Sequence, residues 1–148
     1  MTPFNIPPAV LADSYKATHP FIYPNAKRMV AYGEMRQAYD KDPNDNRIVF
    51  YGIRYIIENY IDKQWTLQDV AQAEAFYSTH NAGFTPFPFP KDLFLKIVNE
   101  HGGYFPVKIE ALPEGTACHA HVPAFQITAE GEMSRLVTFF ETILTMIW

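Results

Sequence analysis

From Glu132 onward the chain builds an apolar stripe at helical spacing, formed by Met133, Leu136, Val137, Phe140, Ile143, Leu144 and Ile147. Thr138, Glu141, Thr142 and Thr145 make only a narrow polar band opposite. A helix this apolar belongs between two layers of structure, because a single neighbour would leave much of the stripe in water. Glu141 then becomes a buried acid that needs a partner. The remaining residues must supply strands or helices for both sides of this segment. Trp148 follows without a cap or polar exit, so this end reads as cut.

The preceding residues divide into elements of both kinds. Pro7-Pro8 predicts a turn before a short helix over 10–20 that Pro20 ends. Lys27 to Arg36 predicts a strand, with Met29, Ala31, Gly33 and Met35 on one side and Val30, Tyr32, Glu34 and Arg36 on the other. Residues 40–46 form a solvated loop by composition. Phe50, Ile53, Ile57, Tyr60 and Ile61 follow helical spacing, with Arg54 and Glu58 outside. Thr66 is the N-cap of the next helix, whose buried stripe is Leu67, Val70, Ala73 and Tyr77.

The run from Phe84 to Pro90, with every second residue a proline from Pro86, is stiff and extended. It suits either a proline-braced wall over the core or a polyproline ligand. A further helix holds Leu93, Phe94, Ile97 and Val98 and closes at His101-Gly102-Gly103, as a glycine C-cap requires. Strands follow over 105–112, 116–121 and 124–129, with Val107, Ile109 and Ala111 sharing a face and Pro113-Glu114-Gly115 making a turn. There is no internal repeat and no linker. Residues 1–148 therefore read as one α+β domain of antiparallel strands and packed helices.

Composition narrows the function classes. At 148 residues, 48% hydrophobic and 19% charged, the chain has enough apolar material for a core, which excludes a disordered or fibrous protein. Twelve basic against sixteen acidic residues give a net charge of −4, so no global basic field recruits nucleic acid or an anionic membrane. Any anion site is local. The lone Cys118 can form no internal disulfide, no signal-peptide pattern opens the chain, and no apolar run approaches a membrane span. A reducing, cytoplasmic location is expected.

Three clusters offer chemistry. Asp13-Ser14-Tyr15-Lys16-Ala17-Thr18-His19 gathers an acid, an aromatic ring, a base and an imidazole, which suits an anionic or aromatic small molecule; the alternative is a helix start with a solvated face. Arg36, beside Tyr32 and Glu34, is either one half of a surface ion pair or a guanidinium aimed at a phosphate or carboxylate. Cys118-His119-Ala120-His121 puts two histidines on one strand face, but no spaced partner pair completes a tetrahedral zinc site, so no metal ligand is assigned. No glycine-rich phosphate loop and no nucleophile elbow occurs, and no catalytic residue is assigned.

Asp13-Ser14-Tyr15-Lys16-x-Thr18-His19 with Tyr23-Pro24 resembles the N-terminal signature of nicotinamide phosphoribosyltransferases. Further matches follow in order: Tyr32-x-Glu34-x-Arg36, Val49-Phe50-Tyr51-Gly52-Ile53-x-Tyr55-Ile56, Pro106-Val107-x-Ile109 with Pro113-Glu114-Gly115, then Phe140-Glu141-Thr142-Ile143-Leu144 and Trp148. Nicotinate phosphoribosyltransferases share the Asp-x-Tyr and Glu-Thr elements. The Lys16-x-Thr18-His19 and Phe50-Tyr51-Gly52 forms favour the nicotinamide branch. Cys118 to His121 and Phe84 to Pro90 depart from the family's wording.

The resemblance implies an enzyme that joins nicotinamide to phosphoribosyl pyrophosphate, giving nicotinamide mononucleotide and diphosphate, with magnesium and, in full-length enzymes, ATP. It implies a homodimer with active sites at the subunit interface. Tyr15 would stack on the nicotinamide ring, Asp13 would sit near the same ring, and Arg36 would reach the phosphates of the sugar substrate. Lys16 and His19 would support them, and Glu141 and Trp148 would be structural. A following α/β barrel domain, absent from these residues, would supply most of the site, so the chain alone is expected to be inactive. A nicotinate-using enzyme and a naturally short, non-catalytic partner module remain the alternatives.

Overall fold

In the computed structural model, which describes residues 6–39, 42–82 and 84–147, an antiparallel sheet has helices packed on its inner face. The chain enters through the 3-10 turns Pro8–Val10 and Ser14–Ala17 and then α1 (His19–Ile22). Next come β1 (Arg28–Glu34), β2 (Arg47–Val49), and α2 (Ile53–Ile56), which continues into the π-helical turn Ile57–Ile61. Two longer helices follow, α3 (Leu67–Thr79) and α4 (Lys91–Glu100). The strands β3 (Val107–Ala111), β4 (Ala117–His119) and β5 (Pro123–Glu130) lead to a 3-10 turn Gly131–Leu136, α5 (Glu141–Leu144) and a last turn Thr145–Ile147. The α+β architecture expected from the sequence is the one observed. Asp40, Lys41 and Trp148 lie outside the described residues.

β5 is the central strand, with β1 and β3 antiparallel on either side. Its apolar alternation pairs Met29 with Ala129, Ala31 with Ile127 and Gly33 with Phe125 on one side, and Ile109 with Ile127 on the other. These residues form the inner face predicted from the period-2 pattern. Ala111 departs from that reading: it ends β3 exposed, although it is still paired with Phe125 of β5. β2 and β4 form a separate two-stranded ribbon.

Trp65 anchors the helical side, stacked on Phe94 at 5.1 Å between ring centroids and 7° between planes, with Phe105 and Phe140 around it. α3 starts at Thr66, the predicted N-cap, where the structure adds a capping box completed by Asp69. Val70, Ala73 and Tyr77 are buried, whereas Leu67 is 57% exposed. The first turn is taken up by the box, whose Asp69 folds back and is itself buried, so the apolar stripe begins one turn later than its spacing suggests. α4 closes at the predicted glycines. Gly103 donates to the Ile97 carbonyl at 2.9 Å with φ +84, and a Cβ there would stand 2.5 Å from the Trp65 carbonyl. Between these helices Phe87 and Phe89 stack on Tyr77, so the proline run is a wall over the core from Phe87 onward, with Phe84 left exposed.

Two predictions fail for local reasons. Pro20 opens α1 rather than ending a helix over 10–20, since the first turn of a helix tolerates a residue without an N–H. The final segment does lie between layers, its turn Gly131–Leu136 against β1 and β5 and its Phe139 and Phe140 against Phe94, Phe105 and Trp65. It is not one helix. Leu136, Val137, Phe139 and Phe140 are all at most 2% exposed, a wider arc than one helical stripe can bury, and the backbone turns over 137–140 to bury them.

Candidate functional site

The sequence from Asp13 to Tyr23 is pinned to the turn and helix over 138–142 by side chains reaching across more than a hundred residues. Asp13 makes a reciprocal pair with Thr142: its backbone N–H donates to Thr142 Oγ1, and that hydroxyl donates to Asp13 Oδ2, each at 3.0 Å. The Lys16 ammonium donates to Glu141 Oε2. His19 Nδ1 lies 3.1 Å from both Thr138 Oγ1 and the Tyr23 hydroxyl, which are themselves 2.9 Å apart. The 3-10 turn Ser14–Ala17 leading into α1, rather than one helix over 10–20, carries residues 13, 16 and 19 to the same segment.

The predicted burial of Glu141 is corrected by this geometry. Glu141 has the partner it needs, but its side chain is 52% exposed while that of Lys16 is 3% exposed. α5 begins at Glu141, on the polar band of the segment, so the acid faces out and the lysine is the group drawn into the protein. Burial alone would push the Lys16 ammonium down, but its hydrogen bond to Glu141 and its contact with Tyr15 outweigh that and hold it above its ordinary value. Burial, together with the Lys16 charge, pushes His19 below its ordinary value.

Tyr15 remains 51% exposed. The Lys16 ammonium sits 4.7 Å from the centroid of its ring, and the His19 ring meets it edge-on at 5.4 Å. The ring is thus oriented by neighbours without being covered by them.

A cleft of about 1000 Å³ opens beside this network, walled by Tyr32, Glu34, Arg36, Thr138 and Glu141 and floored by Phe125 under Gly33. Tyr15, Asp13, Lys16 and His19 do not line it; Lys16 and His19 bond to two residues that do, Glu141 and Thr138, whereas the Asp13 partner Thr142 is not part of its wall. Arg36 does line it, but not as a strand residue. β1 ends at Glu34 with a register shift at Gly33, and Arg36 lies in the bend beyond. Its predicted sharing of a strand face with Tyr32 and Glu34 is replaced by sharing this cleft. Among the described residues Arg36 has no ion-pair partner, whereas Glu34 is 3.2 Å from His121 Nδ1 and Glu141 holds Lys16. Among the described residues the cleft is therefore lined by one guanidinium without an ion-pair partner and by two carboxylates that each have a basic neighbour.

The histidine pair does not form a face. His119 Nδ1 contacts Asn46 at 2.7 Å, while His121 adopts φ 64, beyond the end of β4, and turns to Glu34. No cluster of three His, Cys, Asp or Glu side chains gathers among the described residues. Thr138, Thr142 and Tyr23 were not recognised as partners from the sequence, although three polar residues at 138, 141 and 142 inside an apolar run were their signal.

These features define an α+β domain with an oriented, half-exposed aromatic ring held by a polar network and, separately, an arginine lining a cleft that two members of that network also wall. Residues 8–109 match the family model described as nicotinamide phosphoribosyltransferase, N-terminal domain, and the chain belongs to that family. It is 29% identical over 139 residues to the nicotinamide phosphoribosyltransferase of Xanthomonas campestris pv. campestris (strain 8004), covering 92% of this chain and 27% of the relative. To the nicotinamide phosphoribosyltransferase of Acinetobacter baylyi it is 28% identical over 152 residues, covering 96% of this chain and 30% of the relative. The chain thus spans less than a third of the length of the relatives it matches.

Proposed function

We propose that this domain contributes the small-domain part of a site that makes nicotinamide mononucleotide and diphosphate from nicotinamide and phosphoribosyl pyrophosphate. The reading joins the family match to one observation: the signature residues 13–19 are held to 138–142, so that Tyr15 stays oriented and half-exposed, and two of the residues that hold them, Thr138 and Glu141, also wall the cleft bearing Arg36. In this reaction the pyridine nitrogen bonds to the ribosyl carbon as the bond from that carbon to the diphosphate oxygen breaks. Positive charge grows on the sugar and negative charge on the leaving group. Tyr15 would stack on the flat ring and hold its nitrogen in line, with Asp13 near the same ring. Arg36 would meet the phosphates of the sugar substrate, a role its planar fork fits.

The site is completed by a second subunit in a cytoplasmic homodimer, with the greater part of the pocket contributed from outside these residues. Magnesium would arrive with the diphosphate. The described residues give it no ligand set of their own, since Glu34 and Glu141 are each held by a base. ATP, which the family resemblance implies, would act on other parts of the enzyme.

The test is a steady-state assay of the intact gene product with each pyridine. Tyr15→Ala is expected to raise the KM for nicotinamide about ten- to hundredfold, the worth of one aromatic–base stack. Arg36→Ala is expected to raise the KM for phosphoribosyl pyrophosphate instead. Unchanged nicotinamide kinetics in Tyr15→Ala, or a preference for nicotinate, would remove this reading.

A further inference from the structure

His80 stands at the C-cap of α3, outside every motif that carries the family resemblance. Its Nε2 lies 2.5 Å from Ser14 Oγ, the residue next to Tyr15. The hydroxyl can donate to a neutral imidazole or accept from a protonated one, so the link survives a change of protonation state. His80 is itself steered by aromatic neighbours. The Phe76 ring is 4.8 Å away, one turn back on the same helix, and the Phe87 ring meets the imidazole edge-on at 5.3 Å and 88°. Phe87 is in turn fixed by its stack on Tyr77 and by its backbone N–H, which donates to the Tyr77 carbonyl at 2.9 Å.

Ser14 completes a pattern along the signature. Asp13 is tied to Thr142, Lys16 to Glu141, and His19 to Thr138, all on the final segment. Ser14 is tied instead to a different element, the end of α3. Tyr15 is therefore the residue held between two anchorages, and without the second its 3-10 turn would be restrained from one side only.

We infer that His80, braced by Phe87 of the proline-rich wall, is a positioning residue that acts through Ser14 to set the Tyr15 ring for the pyridine. This inference rests on the stacking role proposed for Tyr15. It also gives a task to the proline run, which departs from the family's wording and contributes nothing directly to the cleft.

The test uses the intact gene product and measures KM and kcat separately for nicotinamide and for phosphoribosyl pyrophosphate. His80→Ala and Ser14→Ala should each raise the nicotinamide KM about three- to tenfold, the worth of one net hydrogen bond, with kcat and the KM for the sugar substrate unchanged. His80→Gln, whose amide can reach the Nε2 position, should restore most of the loss. In a Tyr15→Ala background, His80→Ala should add nothing. A fall in kcat with KM unchanged, equal damage from His80→Gln and His80→Ala, or unaltered kinetics in Ser14→Ala would each overturn the inference while leaving the role of Tyr15 intact. If Tyr15→Ala itself leaves the nicotinamide KM unchanged, both fall together.

Discussion

The Lys16–Glu141 pair is asymmetric, and the asymmetry predicts which partner matters more. Lys16 is almost entirely enclosed while half of the Glu141 side chain is in water. Deleting the acid by Glu141→Ala strands an ammonium inside the protein. Breaking a fully buried pair costs about 3–5 kcal/mol, and the partial hydration of Glu141 reduces this to about 1–3 kcal/mol. For a domain of this size that is a fall of roughly 3–10 °C in Tm. Deleting the lysine by Lys16→Met leaves a hydrophobic stem of similar volume in its place and a carboxylate that water can solvate. That change should cost less than about 1 kcal/mol, chiefly the lost cation–π contact with Tyr15. The double variant should resemble Lys16→Met alone, because the stranded charge is gone.

Urea denaturation at pH 7 measures all three, with the shift in midpoint read at constant m. Because the folded value of Lys16 is raised, its contribution is complete at neutral pH and is lost only as pH rises through that folded value. Lys16→Met proving as damaging as Glu141→Ala, or strict additivity in the double variant, would refute the assignment of the lysine as the enclosed member.

Two other outcomes follow from the same geometry. A Cβ on Gly33 would stand 2.3 Å from Phe125 Cζ, so Gly33→Ala must displace a buried ring and should cost about 1–3 kcal/mol in a denaturation midpoint; an unaltered midpoint would mean the ring does not cover that strand. His19 is held below its ordinary value of 6.5, so as pH falls below 6.5 the unfolded chain takes up its proton first and stability declines until the folded value is passed. His19→Asn, which keeps a group at the Nδ1 position, should flatten that decline in a pH series of Tm, and an identical profile would assign the decline to other groups.

What the sequence disclosed was local. Thr66 announces the start of α3 as its N-cap, and Gly102-Gly103 announces the end of α4, because both depend on neighbours along the chain. The inner faces of β1 and β3 were legible from alternation for the same reason. That β5 sits between β1 and β3 was not, since strand order depends on the whole core. The break of the final segment was hidden because its apolar residues satisfy a helical period on paper, and only the need to bury both Phe139 and Phe140 interrupts it. At the site, the signature residues were visible, but their partners Thr138, Glu141 and Thr142 lie 115 to 129 positions away. Arg36 was found with the wrong backbone setting, because the register shift at Gly33 leaves no sequence trace.

The tie between Asp13 and Thr142, 129 positions apart, also sets an order of events during synthesis. At typical ribosomal speeds the early segment emerges about 6 to 26 s before its mate exists. Through that interval the nascent signature lacks the Thr138–Thr142 segment that holds it, so its tyrosine can be given its final orientation only once that segment has been made.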